Sequence, residues 1–112
     1  MEMRVEAARG GAAIVRLDGR LDLVTAGEAK QRMVETVEGG QKRLVVDMGS
    51  VDFVDSSGLG AIIGVLKAAR QAGGDLRIAC PTGQLRSILE LTMLDRVLRP
   101  YETVEEALTG YE

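Results

Sequence analysis

The chain has no histidine, no tryptophan and a single cysteine, Cys80. Without histidine there is no Ser-His-Asp triad, no Cys-His pair and no His-ligated metal. One cysteine excludes an intramolecular disulfide. At the end of the apolar stretch from Leu76 it reads as a buried, inert thiol. Aromatic residues are as scarce: Phe53, Tyr101 and Tyr111 are all of them. The core must be built from Val, Leu, Ile, Ala and Met, which suits helices packed on a small sheet. No apolar run approaches the roughly 18 residues of a spanning helix, and MEMRVEAARG at the start lacks the apolar segment of a signal peptide. A cytoplasmic protein without membrane insertion is therefore expected. The net charge is −3 and the 14 basic residues are scattered, with no basic arm and no aromatics interleaved with Arg. Direct nucleic-acid binding is not expected.

What is present fits one globular α/β domain over residues 1–112, with 46% hydrophobic and 28% charged residues. Residues 3–7 and 12–17 read as two strands joined at Gly10-Gly11, hence an antiparallel hairpin. Leu17-Asp18-Gly19-Arg20-Leu21-Asp22 is expected to leave the sheet through a glycine turn. Thr25 then caps a helix running to Glu38, with Glu28 completing a capping box, and Gly39-Gly40 ends it. Residues 43–48 carry Leu44-Val45-Val46, a continuous apolar run of the kind covered on both faces. A second helix spans 57–72, with Leu59, Ile62, Ile63, Leu66 and Ala69 forming one stripe. A strand at 76–80 ends at Pro81, and a third helix covers 83–92 with Leu85, Ile88, Leu89 and Leu91 mostly inward. Val97-Leu98 reads as a short edge strand, and Thr103, with Glu106 at the box position, caps a last helix over 104–108. Strands alternating with helices predict parallel neighbours. The expected fold is a mixed sheet of four to five strands with about four helices.

One segment stands apart: Val51-Asp52-Phe53-Val54-Asp55-Ser56-Ser57-Gly58-Leu59-Gly60, between the most apolar strand and the best amphipathic helix. Asp55 and Ser56 are both N-cap types, and the small residues around them leave the helix start uncovered. On these residues alone two readings stand. One is a well-capped helix start and nothing more. The other is an exposed hydroxyl that a kinase can reach, where a phosphate would meet free N–H groups and the positive end of the helix dipole.

The stretch DFVDSSGLGAIIGVLKAARQAGGDLRIA closely resembles the signature of the STAS domain, named for sulfate transporters and anti-sigma factor antagonists. LDGRLD at 17–22 is similar to the family's turn before its first helix, and LELTMLDRVL at 89–98 to its stretch between third helix and last strand. The resemblance implies partner switching. An unphosphorylated antagonist binds an anti-sigma factor that is also a GHKL-type serine kinase, and so frees the sigma factor. The kinase phosphorylates the first serine of the Asp-Ser-Ser-Gly motif, here Ser56, the antagonist lets go, and a serine phosphatase resets it. Ser57 matches a position where the family also accepts alanine. Asp22 matches an acidic loop residue near the kinase interface. The resemblance thus implies a phosphoacceptor at Ser56, a partner surface with Asp22, Asp55, Ser57 and Gly58, no cofactor, and a monomer or weak dimer.

Other chemistries fare worse. An enzyme using Ser56 as nucleophile lacks a base, since Lys67 lies about three helical turns away. Asp18, Asp22, Asp47, Asp52 and Asp55 lack the spacing of a calcium loop. Gly58-Leu59-Gly60 with Gly64 misplaces the third glycine of a dinucleotide loop and lacks Gly-Lys-Ser/Thr; Gly60 and Gly64 fit close helix packing instead. Met93 and Leu94 read as core filling. The competing reading keeps the fold and changes the partner: a stand-alone STAS subunit of a membrane transport or signalling complex, not phosphorylated.

Overall fold

In the computed structural model, which describes residues 1–111, a five-stranded sheet runs in chain order. β1 (Glu2–Ala7) and β2 (Ala12–Leu21) form the antiparallel hairpin. β3 (Arg43–Val54), β4 (Asp75–Ala79) and β5 (Pro100–Tyr101) add in parallel. Helices α1 (Ala26–Glu38), α2 (Ser56–Gln71), α3 (Gly83–Leu91) and α4 (Val104–Leu108) connect or follow the strands.

The strand alternation divides the core. Ala13, Val15, Leu17, Leu44, Val46, Met48, Leu76 and Ile78 face the larger cluster beneath α1, α2 and α3. Ala12, Ile14, Val45 and Ala79 face the other way, against Ala107, Leu108 and Tyr111 at α4. Leu44, Val45 and Val46 are thus covered on both sides, which is why this strand reads as an unbroken apolar run. α4 is latched down by Arg77, which lies over the Tyr111 ring at 4.1 Å and donates to the Ala107 and Thr109 carbonyls. The Tyr111 hydroxyl donates to the Leu44 carbonyl at 3.0 Å. Beyond α4 the same face is polar, with Arg16 bridging Glu6 (2.7 Å) and Asp47 (2.8 Å).

Several boundaries differ from the sequence expectation, each for a physical reason. β2 does not leave the sheet at 17–22. It continues to Leu21 through register shifts between Arg16 and Asp18 and between Gly19 and Arg20, with Gly19 at φ +110°. The extra residues at both shifts lie on β3, which bulges there, and Gly19 stays paired with Val51 inside the strand instead of turning the chain. β3 likewise runs past Met48 to Val54, because the prolonged β2 gives it a partner as far as the Leu21–Val54 pair. The last strand falls at Pro100–Tyr101, not Val97-Leu98; Leu98 is instead a fully buried plug. Leu91 (85% exposed) and Met93 (63%) point outward, whereas Leu94 packs against the core. Cys80 is half-buried rather than buried, with burial and nearby Asp47 pushing its thiol pKa up. A methyl group on Gly64 would press on the Lys30 side chain of α1, but Gly60 faces open space and serves no close packing.

Candidate functional site

The pairing of Leu21 with Val54 decides what comes next. With these two ends side by side, Asp22 and Asp55 leave the sheet as neighbours. The Asp55 N–H donates to the Leu21 carbonyl at 3.3 Å. α2 then starts directly against that carbonyl, and only glycine fits at its third position. A Cβ on Gly58 would lie 2.1 Å from the Leu21 oxygen.

Asp55 is the N-cap of α2. Its Oδ1 accepts from the Gly58 N–H at 2.9 Å, satisfying one of the helix's orphan donors. Its Oδ2 reaches across to accept from the Leu23 N–H at 3.0 Å. One carboxylate therefore ties the start of α2 to the turn before α1. Asp22 organises that turn from the other side: its Oδ1 accepts from the N–H groups of Val24 (3.0 Å) and Thr25 (3.3 Å), and its Oδ2 from Arg20 Nε (3.2 Å). Partial burial pushes the Asp22 pKa up, but the Arg20 and backbone hydrogen bonds outweigh it and hold the carboxyl below its usual range.

The capping box expected at Thr25 and Glu28 does not form. Thr25 has helical backbone angles, and its hydroxyl turns back to donate to the Arg20 carbonyl (2.7 Å) and accept from the Asp22 N–H (3.0 Å). The first turn already begins at Asp22, whose carbonyl accepts from the Ala26 N–H, so Asp22 takes the role expected of Thr25. Thr103 does cap α4, accepting from the Glu106 N–H at 3.1 Å.

Because Asp55 caps α2, Ser56 does not have to. Its side chain is exposed, and among the described residues its hydroxyl has no hydrogen-bond partner. Ser57 beside it is half-buried and Gly58 is buried. Asp52 is exposed nearby in sequence, and Phe53 lies under the Arg20 guanidinium at 4.4 Å. The corner so gathers Asp22, Asp55, Ser56, Ser57 and Gly58, the residues singled out from the sequence. Asp47 lies elsewhere, paired with Arg16, and among the described residues no group of three acidic or thiol side chains converges as a metal site would.

Sequence reasoning missed four residues here. Gln84 of α3 clamps the end of β3, accepting from the Val54 N–H at 3.1 Å. Arg20 shields Phe53 and holds Asp22. Leu23 and Val24 are the most conspicuous, 77% and 88% exposed. The available signal was an apolar pair set between Asp22 and Thr25, where a turn calls for neither residue.

The STAS domain model matches residues 5–107. The chain belongs to the STAS domain family. An anti-sigma F factor antagonist from Paenibacillus polymyxa is 32% identical over 103 residues, covering 91% of this chain and 88% of the relative. The crystal structure of an anti-sigma factor antagonist from Mycobacterium paratuberculosis superposes with a TM-score of 0.86 at 27% identity, covering 98% and 92% of the two chains. The Bacillus cell fate determinant SpoIIAA, solved in its phosphorylated form, superposes at 0.78 over 99% and 100%; at 20% identity it shares the fold. The STAS match thus spans the end of β1, strands β2 to β5, helices α1 to α3 and the clamped corner. Among the described residues no helix is long and apolar enough to cross a membrane.

Proposed function

We propose that this STAS protein is an anti-sigma factor antagonist, a binding switch rather than an enzyme, acting in the cytoplasm. Unphosphorylated, it binds an anti-sigma factor that is also a GHKL-type serine kinase, and the sigma factor is released. Phosphorylation of Ser56 ends that binding, and a serine phosphatase restores it. The observation that carries this reading is the exposed, uncommitted Ser56 hydroxyl at the start of a helix whose cap is supplied by its neighbour. The names of the antagonists it resembles supply the partner class.

The geometry gives the switch its strength. A phosphoserine adds roughly −1.5 to −2 charges beside the Asp55 and Asp22 carboxylates. In a desolvated interface such like-charge contact costs several kcal/mol, and about 3 kcal/mol already weakens binding more than a hundredfold. No refolding is needed. A nucleophilic enzyme is disfavoured: Lys67 lies on the same helix, about 16 Å along its axis from Ser56.

The test is incubation of the chain with ATP and the kinase that binds it, followed by phosphosite mapping. Ser56→Ala is expected to abolish labelling and keep binding, and Ser56→Asp to weaken binding. Phosphate found on Ser57 refutes the assignment. A chain that binds no kinase and is not labelled points instead to a subunit of a membrane transport or signalling complex.

A further inference from the structure

Leu23 and Val24 are the two large apolar side chains, adjacent in sequence, that the corner holds out into solvent at 77% and 88% exposure. A single exposed leucine is ordinary. Two together on a turn whose backbone is pinned are a different matter. The Leu23 N–H is bound by Asp55 Oδ2, the Val24 and Thr25 N–H groups by Asp22 Oδ1, and the Thr25 hydroxyl by the Arg20 carbonyl. The pair is thus displayed on fixed backbone, so docking onto it orders little further chain.

The placement is specific. Asp55, which holds the Leu23 N–H, is the residue immediately before Ser56, so the apolar pair and the uncommitted hydroxyl share one clamped corner. Around them stand Asp22 and Asp55. We propose that Leu23 and Val24 are the apolar anchor on which the anti-sigma factor docks, with Ser56 at its rim. The partner feature they fit is an apolar pocket, with no cation at its rim that would welcome a phosphate. This rests on the function proposed above and identifies where its binding energy is concentrated. Docking would take two exposed apolar side chains out of water, which favours the complex in proportion to the area removed, and a charge introduced at the rim must be desolvated with them.

The experiment uses the full chain and the anti-sigma factor kinase in calorimetric titration. The double variant Leu23→Ser, Val24→Ser is expected to bind about 30-fold more weakly or worse, the loss that follows when the burial of two apolar side chains is forfeited, with a less negative heat capacity of binding. Its melting midpoint should match the wild type, because both side chains are exposed. Leu23→Met with Val24→Ile should keep the affinity, which a merely steric or structural role of the loop would not require. Affinity of the double variant within about threefold of wild type overturns the anchor while leaving the Ser56 switch standing. A wild-type chain that neither binds nor is labelled at Ser56 overturns the proposed function, and the anchor with it. Should the double variant melt early, Val24→Ser alone gives the same decision, since the Val24 side chain is the more exposed of the two.

Discussion

Replacing Gly58 by alanine sets two effects against each other. Alanine is the better helix former, by about 1 kcal/mol at an interior position. The new Cβ would however lie 2.1 Å from the Leu21 carbonyl oxygen and 2.9 Å from both the Leu21 carbonyl carbon and its Cγ. A contact with backbone cannot be relieved by a rotamer change, so α2 and the end of β2 must separate by about 1 Å to restore a normal contact. That carbonyl accepts from the Asp55 N–H, and Asp55 in turn caps Gly58 and holds Leu23. Overpacking costs about 1–3 kcal/mol, and weakening a cap adds about 1 kcal/mol. Steric strain wins over propensity, and Gly58→Ala should destabilise by about 1–3 kcal/mol net. For a chain of this length that lowers the melting temperature by roughly 4–13 °C, read by thermal melting in circular dichroism. A variant melting at or above the wild-type temperature would refute the reasoning, for it would mean that α2 has room to move away from Leu21.

Two further outcomes follow from the same structure. Asp22 has its pKa held below the ordinary 3.8, so its ionised form favours the folded state. The stability difference between wild type and Asp22→Asn should therefore be fully present above that value and vanish as pH falls through the depressed folded pKa, measured by denaturant titration across pH 2 to 6, roughly the carboxylate range; a pH-independent difference refutes it. Tyr111→Phe removes the hydrogen bond to the Leu44 carbonyl and should cost about 1 kcal/mol in urea unfolding, more if the carbonyl is left without a donor. An unchanged midpoint would show that water replaces the hydroxyl.

The parts of the fold legible in the sequence are those fixed by local periodicity and punctuation. Alternation placed the hairpin, the apolar run marked β3 as buried on both faces, and the stripe from Leu59 to Ala69 gave α2 its inner side. The misplaced boundaries are those decided by a distant partner. Gly19 looks the same in a turn and inside a strand, and only the length of β3 chooses between them. Pro100 in β5 sits at a sheet edge, where its missing N–H costs nothing, a context that no local pattern around Val97-Leu98 reveals. At the site, Asp55 and Ser56 were equal candidates for the cap. The structure separates them because the Asp55 carboxylate has two oxygens and two donors to satisfy, Gly58 N–H and Leu23 N–H, whereas a serine hydroxyl could not span both.

That division of labour bears on how the proposed switch works. If Ser56 were the cap, its hydroxyl oxygen would be committed to a backbone N–H, and that bond would have to be released before a kinase could reach it. With Asp55 holding the helix, the Ser56 oxygen can gain a phosphate without removing any hydrogen bond of the corner. In the free domain the new charge faces water, where screening over about 8 Å limits its repulsion from Asp22 and Asp55. In a docked complex water is excluded and the same charges act nearly unscreened. The phosphate therefore weighs little on the fold and heavily on the complex, as a switch requires if its domain is to be recycled intact.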